Sequence, residues 1–207
     1  MRSTVSPQRA AHLTACLTVV LAVVAPSGCG RPAAGDTTTA GVIDSVIPRA
    51  EALRRFQEGL QRPDSLSGGT GSREDLVFRF VAALEARDTT ALNALSMTVE
   101  EFAYLYYPTN PQSLPPYDVS PGLLWFLIEG NSRKGLALAL EERGGAPLGY
   151  VDHSCEGEPS HEGENTVWGP CVIRRVQAPG DTVSERLFGP IIERGGRYKF
   201  VNLANKL

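Results

Sequence analysis

Residues 191–203 read IIERGGRYKFVNL. Two short runs rich in β-branched and aromatic residues flank Gly195-Gly196. A Gly-Gly pair supplies the positive φ angles that a tight hairpin requires, so the stretch predicts two antiparallel strands closing the chain. Working back toward the N-terminus, Pro179-Gly180 marks a second turn. The segments APLGYVDHSC (146–155), TVWGPCVIRRVQ (166–177), TVSERLFGPIIER (182–194) and RYKFVNL (197–203) then read as four strands.

Upstream the texture is helical. IPRAEALRRFQEGLQRP (47–63) has Pro48 in the first turn, Leu53, Phe56 and Leu60 at helical spacing, and Pro63 as a stop. DSLSGGTGS is a break. SREDLVFRFVAALEARD (72–88) begins with a Ser72/Asp75 capping pattern and places Leu76, Val77, Phe80, Val81 and Leu84 on one face. Asp88 caps a short helix in TTALNALSM. Thr98 and Glu101 repeat the capping pattern before VEEFAYLYY, which Pro108 ends. TNPQSLPPYDVSP (109–121) holds four prolines and predicts an irregular loop or lid. Ser120-Pro121 opens a further helix, GLLWFLIEG. NSRKGLALALEERGG is ambiguous, because Leu136, Leu138 and Leu140 also alternate like a strand. Its Lys, Arg, Glu and Ala content and the Gly144-Gly145 stop favour helix. Helices first and strands last predict an α+β fold with the helices on one face of an antiparallel sheet.

FVAALEARDTTALNAL (80–95) together with IIERGGRYKFVNL resembles the NTF2-like superfamily. The resemblance implies a cone, with helices packed into a strongly curved antiparallel sheet that often encloses a pocket. The superfamily contains isomerases, dehydratases and many non-catalytic modules. None of its catalytic residues maps onto a position of this chain, and helical material over 98–143 replaces the strand the family usually inserts. The pocket residues suggested by the aromatic clusters YLYYP and LLWF are Tyr104, Tyr106, Tyr107 and Trp125, whose default role is core packing.

The N-terminus carries a different signal. Arg2 and Arg9 precede 13 mostly apolar residues, Leu13–Ala25. That run is short of the roughly 20 residues a bilayer-spanning helix needs and matches a signal-peptide core. Ser27 and Gly28 precede Cys29, an arrangement that resembles the bacterial lipoprotein signal. Pro26 stands where that signal usually has an aliphatic residue. The alternative is ordinary cleavage near Ser27 or Gly28 with Cys29 left as a free thiol. The expected organisation is a signal peptide (1–28), a flexible tether (29–45) rich in Gly, Ala, Thr and Pro, and a single α+β domain (46–207). Lipidation of Cys29 would place that domain on the bacterial cell envelope, facing the periplasm or the exterior.

Cys155 and Cys171 form an even pair in an exported domain, which predicts a disulfide between neighbouring strands. The enclosed segment EGEPSHEGENTVWGP carries Glu156, Glu158, His161, Glu162 and Glu164, with His153 just outside. Carboxylates and imidazoles can ligate divalent ions, but the spacing fits no zinc pattern. The segment reads as a solvated acidic loop, and no metal or other cofactor is expected.

Removing Arg2 and Arg9 from the chain's 20 basic residues leaves 18 against 23 acidic ones, a net charge of −5. With no basic cluster, nucleic acid is not an expected partner. Asp118, Glu129 and His153 could act as bases, but no Ser-His-Asp pattern, phosphate loop or dinucleotide fingerprint accompanies them. Two roles follow. One is a lipid-anchored, non-catalytic envelope domain that binds an unidentified protein or small molecule. The other is an NTF2-like enzyme acting on a small apolar molecule. An enzyme requires a carboxylate or His facing Tyr hydroxyls in a pocket. A binding module would instead show a filled core and an exposed apolar patch.

Overall fold

The closing hairpin is buried on both faces, and this organises the molecule. In the computed structural model, residues 47–178 and 180–205 are described. The leader, Cys29 and the tether lie outside them. The helical elements are α1 (Arg49–Phe56), α2 (Arg73–Glu85), α3 (Thr89–Ala94), α4 (Val99–Glu101) and α5 (Pro121–Arg143). The strands are β1 (Tyr150–Cys155), β2 (Ser160–Glu162), β3 (Asn165–Trp168), β4 (Cys171–Ala178), β5 (Asp181–Glu185), β6 (Ile191–Arg194) and β7 (Arg197–Phe200). The fold is α+β, with antiparallel sheets ordered β1-β4-β5 and β2-β3-β6-β7.

Successive residues of a strand point to opposite faces. On β6 and β7, Ile191 and Phe200 enter one core with Leu76, Phe80, Leu84 and Phe188. Ile192 and Val201 enter a second core with Phe102, Tyr107, Leu124 and Ile128. Phe80 meets Phe188 and Phe200 edge-on at 5.3 and 5.4 Å. The free edge of β7 is covered by bridges from Tyr198 to Thr70 and from Phe200 to Ser96, which removes a template for intermolecular pairing.

The predicted strands 166–177 and 182–194 are each divided between the two sheets. The divisions fall at Gly169-Pro170 and Gly189-Pro190, where proline removes the ladder N–H. These corners lie side by side, because a Cβ added at Gly169 would sit 3.2 Å from the Pro190 Cβ. The registers on the two sides of the break nearly match. Trp168 faces Ile191 on one side and Ile173 faces Glu185 on the other, five steps along one strand and six along its partner. One strand thus carries a single surplus residue between the two sheets. β1 and β2 repeat the pattern, with Cys155 opposite Cys171 and Ser160 opposite Val167.

Local signals place the helices. Ser72 accepts from the Asp75 N–H, Asp88 from Ala91, and Thr98 and Glu101 complete a reciprocal capping box. The expected return bond from Asp75 gives way to its ion pair with Arg79. The first helix ends at Phe56, seven residues short of Pro63. The two helices predicted after Ser120 are one 23-residue helix.

The segment expected as a helix through Tyr107 is α-helical only to Glu101 and continues as a π-helical turn, Phe102–Tyr106. That turn buries Phe102, Ala103, Leu105 and Tyr106 in the second core.

Candidate functional site

The disulfide-enclosed segment is not a plain solvated loop. It contains the β2–β3 hairpin, and Glu162 at the end of β2 is buried, as is Asn165 at the start of β3. Cys155 and Cys171 are bonded at the corner, with Cα atoms 4.0 Å apart. That separation is below the usual 4.4–6.8 Å, because the cysteines face each other directly across the β1–β4 ladder. The bond fixes where the hairpin leaves the β1-β4-β5 sheet.

The hairpin packs against the chain that follows the π-helical turn. Thr109 Oγ1 donates to the Glu162 carbonyl at 2.8 Å, and Asn165 Nδ2 donates to the Leu105 carbonyl at 2.7 Å. Arg194 reaches back to Asn165 Oδ1 and pairs with Glu164. These bonds bring Glu162 to a half-open cavity of about 320 Å³, lined also by Tyr106, Asn110, Ile128, Pro190 and Asn202. This size lies at the lower end of small-molecule sites. Gly189 allows the Asn202 wall to close in, since a Cβ there would lie 2.0 Å from Asn202 Oδ1.

The Glu162 carboxyl accepts from Ser160 Oγ at 3.1 Å and from Asn110 Nδ2 at 3.2 Å. Both donors are neutral, and among the described residues no cation pairs with it. Burial pushes its pKa above the usual carboxylate range, against the pull of those two hydrogen bonds. Tyr106 is also buried, and burial followed by the nearby Glu162 charge pushes its hydroxyl well above the ordinary phenol value. The cavity thus joins a carboxyl and a phenol whose pKa values are both raised by burial.

The remaining predicted pocket residues diverge. Tyr107 is buried and donates to the Val119 carbonyl at 2.9 Å, with the Arg49 guanidinium 5.5 Å from its ring centroid. Tyr104 faces the segment after α1, where its hydroxyl is 3.4 Å from the Leu60 carbonyl and Arg62 lies over its ring. Trp125 stacks on Phe102 at 5.2 Å and borders a separate cavity of about 390 Å³ with Glu129 and Ser132. Of the four, only Tyr106 reaches the Glu162 cavity.

Asp118 and Glu129 are exposed and distant in sequence from Glu162. His153 lies on β1, half-buried, with its Nδ1 3.2 Å from the Tyr150 hydroxyl. Burial lowers its pKa and Glu74 partly restores it. Among the described residues no group of three or more His, Cys, Asp and Glu side chains could hold a metal ion.

An apolar surface also exists. α5 exposes Leu123, Phe126 and Leu127, and the Pro-rich loop before it exposes Leu114 and Tyr117. Among the described residues no helix is long and apolar enough to cross a membrane.

No protein-family model, curated protein or solved structure matches the chain.

Proposed function

We propose that this chain is a lipid-anchored binding domain of the bacterial cell envelope, which captures a small molecule in the Tyr106–Glu162 cavity. The observation that carries the binding role is Glu162 itself. A buried carboxyl with only neutral donors lowers stability, and its place at a cavity mouth gives that loss a use. The anchor rests on the leader ending at Cys29. Two alkyl chains on that sulfur suffice for stable attachment, at about 0.8 kcal/mol per buried CH₂.

The two sheets are proposed as the walls of one NTF2-like cone. Support comes from the nearly matched register on either side of the Gly169-Pro170 and Gly189-Pro190 corners and from helices packed against β6 and β7.

A second reading, an NTF2-like enzyme, is favoured by one arrangement: a carboxyl and a Tyr hydroxyl share the same cavity.

Two experiments test the proposal. Cys29→Ser should abolish lipid labelling and leave the precursor uncleaved at Gly28. A mature N-terminal peptide with an unmodified thiol in the wild type would remove the anchor. For the cavity, a panel of small molecules is screened by the methyl NMR shifts of Ile128 and Val201. Saturable shifts without turnover support binding, and product formation lost in both Glu162→Gln and Tyr106→Phe would establish the enzyme instead.

A further inference from the structure

Two glutamates are fully or nearly buried among the described residues, Glu101 and Glu162. Glu101 is paired with Lys199 at 2.9 Å. The partly buried Glu185 is held by both Arg143 and Arg175, at 2.8 and 2.6 Å. Glu162 breaks this pattern. Its two hydrogen bonds come from a hydroxyl and an amide, and the side missing a counter-charge opens on the cavity. No Lys, Arg or His lines that cavity, so Glu162 is the single charge on its wall.

An anion entering would meet an uncompensated carboxylate. A neutral molecule would leave the charge as costly as before. A cation would supply the attraction that a buried carboxylate lacks, with a strong charge-assisted hydrogen bond.

We propose that the cavity binds a small primary ammonium compound, with Glu162 as counter-ion and the apolar wall of Ile128, Pro190 and Val201 holding its carbon stem. This inference rests on the binding reading above and names the ligand class. An ammonium carries three N–H donors. Glu162 accepts one, and the side-chain carbonyls of Asn110 and Asn202, each already accepting a single backbone N–H, have a lone pair free for the others. No covalent step is involved.

Mature protein is titrated separately with n-butylammonium, n-butanol and butyrate, following the Ile128 and Val201 methyl resonances. Butylammonium should saturate these shifts with an affinity at least about tenfold above that of butanol, the increment of one charge-assisted hydrogen bond. Butyrate should produce none. Glu162→Gln should remove the preference for the ammonium over butanol. Butanol or butyrate binding as tightly as butylammonium to the wild type would overturn the cation inference while keeping a binding cavity. If none of the three shifts those methyls, both the inference and the cavity reading fall. The three-probe comparison on wild type decides the matter even if the variant folds poorly.

Discussion

Glu101 lies beneath the face of β7 that carries Lys199, whereas Glu162 lies at the end of β2 beside open space. Both are buried, at 1% and 9% exposure. Around Glu101 every oxygen is engaged. Lys199 Nζ reaches both carboxylate oxygens at 2.9 and 3.2 Å and also donates to the Ser67 carbonyl at 3.0 Å. The Thr98 N–H and the Ser67 hydroxyl each donate at 2.8 Å. Helix cap, loop and sheet are joined through one charge pair. Around Glu162 the donors are fewer and neutral, one to each carboxylate oxygen. The first arrangement holds elements together. The second leaves electrostatic demand unmet where a ligand can enter.

The largest expected effect comes from breaking the satisfied pair. Lys199→Met leaves Glu101 buried without its counter-charge. Removing one partner of a buried pair typically loses about 3–5 kcal/mol, and urea unfolding should show a fall of that size. The double change Lys199→Met with Glu101→Leu should recover much of it, since an apolar pair of similar volume removes the stranded charge. Equal loss in single and double variants would mean that the capping and Ser67 bonds, rather than the ion pair, dominate.

Next is the covalent tie at the corner. Replacing Cys155 and Cys171 with Ala should lower stability by about 3 kcal/mol through the conformational freedom the unfolded chain regains. The regional readout sharpens the contrast. The bond encloses the β2–β3 hairpin, so amide hydrogen exchange should quicken first at Glu162 and Asn165. Amides around Glu101 should keep their protection until global unfolding. Uniform loss of protection would show that the two regions open as one unit.

These two regions were unequally legible in the sequence. The caps at Ser72, Asp88 and Thr98 depend on bonds three residues long, so their spacing announces them. The cysteine pair followed from its even count and the export expected from the leader. Burial of Lys199 had a signal that could have been used: it alternates with Tyr198 and Phe200 but shares its face with Val201, so both faces of the strand are apolar. The corner also had a signal, since Gly169-Pro170 and Gly189-Pro190 interrupt their strands. Glu162 had none. Its donor Asn110 is 52 residues away, and only the tertiary approach of the π-helical segment to the hairpin removes it from water. Among five acidic and imidazole side chains in that segment, local pattern gave no reason to single it out. The π-helical register of Phe102–Tyr106 was equally hidden, because its buried positions follow the same spacing as those of an α-helix.

The smallest expected effect is a gain. Burial raises the folded-state pKa of Glu162 above its unfolded value. Between the ordinary carboxylate value and the raised one, the folded chain therefore holds a proton that the unfolded chain has released. Stability from this group is greatest at low pH and falls as pH rises through that window. Glu162→Gln keeps the shape, can still accept from Asn110 and can donate to Ser160, and it never ionises. The variant should match wild type at acid pH and exceed it at neutral pH, by about 0.5–2 kcal/mol, the range common for substitutions that relieve a strained site. Glu51, Glu74, Asp152 and Glu185 have lowered pKa values and weaken both proteins as pH falls. Those losses cancel in the difference between the two urea midpoints at each pH. Saturating n-butylammonium should reverse the order at neutral pH, stabilising wild type and leaving Glu162→Gln unmoved, because a ligand that binds the folded state adds stability in proportion to the logarithm of its occupancy ratio. A difference that is flat with pH would mean that Glu162 is neutralised by its two donors alone, and the contrast with Glu101 would then be one of geometry without charge.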